Sequence, residues 1–149
     1  MKREYKEVDK LMLVEQLYAS RLMQSNEDYK LFEEALDILY EENGIDNIEV
    51  FIKAFDDETD GFDVMFGMLH GIESYDNFLG SEEWVARVLV AVIHFRDTAK
   101  EWEETIFLRM LNSEKHYELL LKQLNKQDSV VQKRVTEILR RSRINAIFC

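Results

Sequence analysis

The chain has 149 residues, 46 % of them hydrophobic, which suits one folded domain with a core of its own and excludes a disordered segment. A single cysteine excludes a disulfide framework and most thiolate metal sites. Thirty acidic against 19 basic residues, a formal net charge of −11, argue against direct nucleic-acid binding, because neutralising phosphates takes a surplus of Lys and Arg.

No stretch alternates as a strand does, whereas helical spacing recurs throughout, so one all-α domain over residues 1–149 is expected, with about eight helices. The chain has no proline, which leaves glycines and capping residues to set the helix boundaries. The first helix is predicted from Tyr5 to Met23. Ser25 caps a second, carrying Phe32, Leu36, Leu39 and Tyr40 inward, with Gly44 just past its end. Asp46 with Glu49 reads as a capping box opening a third around Phe51 and Phe55, and Asp60 and Asp63 repeat the device for a fourth through Met65, Leu69 and Ile72. Ser81 begins a fifth around Trp84 and Leu89, and a break near Asp97 and Thr98 precedes a sixth with Trp102 and Ile106. Ser113 caps a seventh. Asp128 caps the last, whose C-terminal end is marked by Arg140, Arg141 and Arg143, cations that suit the negative pole of a helix.

Short turns between eight helices imply antiparallel neighbours. The starts at Asp46, Ser81 and Ser113 are 35 and 32 residues apart, the interval of a two-helix repeat, so the expected architecture is a HEAT-like right-handed helical stack, with an irregular helical bundle as the alternative. The longest apolar run, Trp84 to Phe95, is broken by Arg87 and His94 and is too short to cross a bilayer. The first ten residues lack a leader's apolar core, so a cytoplasmic location is expected.

The negative charge is concentrated. Residues 27–83 hold 18 acidic groups against Lys30 and Lys53, while the segments on either side are slightly basic. Such a block repels itself and favours a basic partner, whose approach it would steer. The expected partner surface is Glu41, Glu42, Asp46, Glu49, Asp56, Asp57, Glu58, Asp60, Asp63 and Asp76, with Tyr75 and Phe78 as aromatic anchors beside the turn at Gly80. Asp56, Glu58 and Asp60 fall on the first places of a calcium loop, but the twelfth place is Gly67 rather than a bidentate Glu. His70 and Glu73 reverse the order of a Glu-x-x-His metal unit and have no second copy. No metal or cofactor is expected. Glu73 lies on an apolar stripe and needs a partner such as Arg87 or Arg109. Gly67 and Gly71 mark either the close approach of a neighbouring helix or a groove where a partner seats. No nucleophile motif is present, and Cys149 carries no cue for activation.

The run Leu69 to Asp76 (LHGIESYD) and the later LRMLN at Leu108 to Asn112 resemble the immunity protein 30 family of bacterial polymorphic toxin systems, over roughly residues 45–125. The resemblance implies an all-α cytoplasmic protein without catalysis of its own that binds and blocks a cognate toxin domain, and it transfers no functional residue. A toxin with a basic substrate groove, such as a nuclease, would fit the acidic block. Two other classes stay open on the residues alone: a HEAT-like adaptor for a basic protein, and a hydrolase using a carboxylate pair. A toxin gene alongside separates the first from the second, and the carboxylate geometry tests the third.

Overall fold

The computed structural model describes residues 7–148, with side chains over 9–141. Tyr5, Cys149 and the Arg143 side chain therefore lie outside the described residues. Eight α-helices follow in order: α1 (Glu7–Ala19), α2 (Asn26–Glu42), α3 (Asn47–Ala54), α4 (Phe62–Leu79), α5 (Ser81–Ala91), α6 (Lys100–Leu111), α7 (Glu114–Leu124) and α8 (Ser129–Phe148). Two short 3₁₀ turns, Val92–His94 and Asp97–Ala99, separate α5 from α6 where the break was expected. The fold is all-α, with no strand among the described residues.

Three of the expected caps form. Ser25 Oγ accepts the Asp28 amide, Ser113 Oγ the His116 amide and Asp128 Oδ1 the Val131 amide, each satisfying an N-terminal donor that the helix leaves open. Elsewhere the expected device is replaced. Asp46 takes a helical backbone (φ −64°, ψ −17°) and its side chain caps nothing, because the turn before α3 is closed by backbone bonds from Asn47 to Gly44 and from Ile48 to Ile45. Neither Asp60 nor Asp63 caps α4; its start is fixed by Thr59, whose hydroxyl accepts the Gly61 amide and donates to the Arg21 carbonyl. The left-handed residue ending α2 is Asn43 (φ 60°), not Gly44. Asparagine tolerates that region better than most residues.

Two helix ends also move. α1 stops at Ala19 rather than Met23, since past Ser20 the bonds tighten to three residues back, from Arg21 to Tyr18 and from Met23 to Ser20, and Met23 is left-handed (φ 49°). α8 runs on to Phe148, so Arg140 and Arg141 sit in its interior instead of at its end; no proline or glycine follows Gly80 to stop it.

α5 is the central element, packed on α7, α4 and α3, while α1 pairs with α2 and α6 with α8. Each helix turns one apolar stripe inward, and the stripes merge into a continuous core that includes Leu17, Phe32, Phe51, Leu69, Val88, Phe107, Leu120 and Val135. Phe55 stacks between Phe95 and Trp102, with centroids 5.9 and 5.3 Å away. Trp84 is core, as expected, and donates its indole N–H to the Ile72 carbonyl.

Candidate partner interface

Ion pairing is uneven across the molecule. From α4 onward several carboxylates are matched: Glu73 takes a bidentate Arg109 (2.7 and 2.9 Å), Asp76 meets His116, Glu82 meets Lys122, Glu83 meets Arg87, and buried Glu103 lies between Arg134 and Arg141, while Asp97, Glu101, Glu114, Glu118 and Asp128 are exposed without an ion pair among the described residues. Glu73 thus finds one of its two expected partners, and the same bond holds the Arg109 guanidinium above its ordinary range. The Asp76 contact continues from His116 Nδ1 to Ser113 Oγ at 2.9 Å; that hydroxyl is already engaged as the α7 cap, so the row fastens α4 to α7.

From α2 to the first turn of α4 the balance differs. Glu42 pairs with Lys10, Glu49 with His94 and Asp56 with Arg21. Among the described residues Glu33, Glu34, Asp37, Glu41, Asp46, Glu58, Asp60 and Asp63 have no ion pair, and all eight are exposed. Only Lys30 and Lys53 lie on the same stretch of chain, and neither makes an ion pair with them.

The expected surface residues therefore separate into groups. Glu58, Asp60 and Asp63 are exposed past the C-terminal end of α3; Glu41 and Asp46 are exposed at its other end, with Glu49 one turn into the helix. Eight helical residues put the two groups about 12 Å apart or more. Asp56 is 1 % exposed and holds three elements together: it accepts Arg21 Nε at 3.0 Å, Thr98 Oγ1 at 2.9 Å and the Glu58 amide at 3.0 Å. Asp57 accepts the Glu101 and Trp102 amides at the start of α6. Both are structural. Tyr75 is not a surface anchor either: it is 0 % exposed, edge-on to Tyr40, and burial pushes its hydroxyl up to about 12. Phe78, 51 % exposed and 5.0 Å from the Tyr75 ring, does present an aromatic face to solvent.

One feature escaped the charge pattern. Between α2 and α4 runs an open groove of about 450 Å³, floored by Phe51, Val64, Met68 and Leu36. Glu33 and Asp37 rim it on α2, and His70 on α4. The glycine pair explains the space. A Cβ on Gly67 would meet nothing within 4 Å, so no helix approaches there; a Cβ on Gly71 would sit 3.2 Å from the Tyr40 ring. Tyr40 closes that end by hydrogen bonding to Ser74. Of the two readings open for the glycines, the structure gives a groove.

A sequence model of the immunity protein 30 family matches residues 19–120, about two thirds of the chain. The chain belongs to the immunity protein 30 family. Comparison with curated proteins and with solved structures returns no match. The family match starts well before the motifs at Leu69 and Leu108 and takes in α2, the acidic α3–α4 loop and the groove, while α8 lies beyond it. In this immunity-family chain Glu33 and Asp37 are one turn apart in the groove, but both stand exposed on one wall, whereas glycosidic acid–base pairs flank their substrate from two sides. Among the described residues no three His, Cys, Asp or Glu side chains are placed to hold a metal ion, and no helix is long and apolar enough to cross a membrane.

Proposed function

We propose that this immunity-family protein binds and neutralises a cognate toxin domain of a polymorphic toxin system in the cytoplasm, and that its unpaired acidic face makes the contact. The observation that carries the reading is the set of exposed carboxylates from α2 to the first turn of α4 that make no ion pair among the described residues. Unpaired like charges destabilise the free protein and become favourable only against a positive surface. A basic toxin, such as a nuclease whose groove holds phosphates, offers that surface, and the carboxylates stand where the phosphates would. Glu41, Asp46, Glu58, Asp60 and Asp63 supply the charge and Phe78 an aromatic contact. The protein acts as a binder, without chemistry of its own, and we read its packing as one domain with a HEAT-like stack.

The test is co-purification with the toxin domain encoded beside this gene, coupled to rescue of a host expressing that toxin. Electrostatic steering predicts that association slows by a factor of about 10 or more as salt rises from about 0.05 to 0.5 M. A complex whose association rate ignores ionic strength would remove the acidic surface from the mechanism.

A further inference from the structure

The groove between α2 and α4 is apolar at its floor and negative along one wall. Its lining runs over two turns of each helix, from Glu33 to Tyr40 and from Val64 to Gly71, a length of about 10 Å. At about 450 Å³ it has the size of a ligand site and admits side chains but not a whole helix. Two glycines on one helix face cost helix stability, yet at Gly67 no neighbouring atom occupies the space they open. Phe51 and Met68 seal the floor from the core side, at 0 and 1 % exposure. The rim acids Glu33 and Asp37 have no ion pair among the described residues, and the one cation on α2, Lys30, lies a turn away from Glu33.

We propose that this groove receives an apolar ridge of the toxin, two or three side chains flanked by Lys or Arg that pair with Glu33 and Asp37. The inference rests on the immunity reading and sharpens it: the exposed acids steer the encounter, and the groove fixes the docked register. Apolar anchors desolvated in a pocket and ringed by matched charge are where interface energy concentrates. The occupant must be basic beside its apolar residues, because an acidic or neutral segment would leave two carboxylates facing it without partners.

Gly67→Leu is the discriminating variant. Its side chain enters open space, so the fold is kept and helix propensity raises Tm by about 2–4 °C, while the groove is filled. Affinity for the neighbour-encoded toxin domain is expected to drop at least tenfold, and Glu33→Lys with Asp37→Lys to drop it tenfold or more; Glu118→Lys on α7 serves as the charge control, with a change under about threefold. A photo-crosslinking residue at position 67 should capture a Lys- or Arg-containing toxin peptide. Toxin that binds Gly67→Leu as tightly as the native chain overturns the groove while leaving the acidic-surface function standing. Capture of a second copy of this chain, or of an acidic toxin segment, also overturns it. Absence of any complex with that toxin domain refutes the underlying reading and the groove with it.

Discussion

Replacing Asp56 by Asn should cost stability and spare binding, although the residue sits in the most acidic stretch of the chain. The Asp56 side chain is 2 % exposed, and its two oxygens serve donors from three segments: Arg21 after α1, Glu58 in the α3–α4 loop and Thr98 before α6. An Asn keeps an oxygen for the Glu58 amide but turns an NH2 group towards Arg21 and Thr98. The Thr98 hydroxyl can rotate and accept, so its bond survives. The Arg21 guanidinium cannot, and loses a charge-assisted bond of about 1.5–3 kcal/mol. Arg21 keeps 25 % of its side chain in water and recovers part of its solvation, which places the net loss at about 1–2 kcal/mol. In a chain of 149 residues that lowers Tm by about 2–8 °C. Urea unfolding should show a lower midpoint at unchanged slope, and a cycle with Arg21→Gln should show coupling of at least about 1 kcal/mol. Stability held within about 0.5 kcal/mol, together with lost toxin affinity, would return Asp56 to the interface and refute this reasoning.

Three further outcomes follow from particular contacts. Gly61→Ala would bring a Cβ to 2.2 Å from Met23 Sδ and 3.1 Å from Met23 Cβ, in a site where Met23 is 1 % exposed; a loss of about 1–3 kcal/mol by urea titration is expected, and smaller in a Met23→Ala background. The Tyr75 hydroxyl lies beside Asn47 yet closes no hydrogen bond, so Tyr75→Phe should leave stability at neutral pH within about 1 kcal/mol. Above neutrality the sign is fixed: unfolded tyrosine loses its proton near 10 and folded Tyr75 near about 12, so stability falls as pH rises from about 10 towards 12. Tyr18 is raised to about 12 as well, and Tyr75→Phe should reduce that alkaline loss of Tm without abolishing it. Neutralising Glu58, Asp60 and Asp63 together, as Gln, Asn and Asn, should keep stability within about 1 kcal/mol while slowing toxin association about tenfold at low salt.

Local signals in the sequence were reliable where the physics is local. A serine or aspartate three residues before an amide can cap with little tertiary context, and Ser25, Ser113 and Asp128 cap as expected, whereas Asp46, Asp60 and Asp63 lose that role to backbone bonds and to Thr59. Apolar stripes likewise identified Phe32, Leu69, Trp84 and Ile106 as core. Charge was harder. Whether an aspartate is structural depends on partners far along the chain, and Asp56 meets Arg21 and Thr98 across 35 and 42 residues. Five neighbouring acids that look alike in sequence thus divide into Asp56 and Asp57, bound within the fold, and Glu58, Asp60 and Asp63, left to solvent. The groove was half legible: Gly67 and Gly71 pointed to it, but the Glu33 and Asp37 wall depends on α2 lying beside α4, which no spacing within either helix encodes.

α4 shows how one helix serves both halves of this scheme. At about 100° per residue, Phe66, Glu73 and Asp76 fall on one side, where Arg109 covers the Phe66 ring and clamps Glu73, and His116 holds Asp76. Val64, Gly67, Met68, Gly71 and Phe78 fall on the opposite side, towards α2 and solvent. The clamped side ties α4 to α6 and α7, so the open side is presented on a helix rather than a loop. A binder gains from that arrangement because little ordering entropy is lost on docking. The uncancelled acids of α2 then face outward across a groove whose far wall is clamped from behind, which turns a diffuse excess of negative charge into a surface with a defined shape.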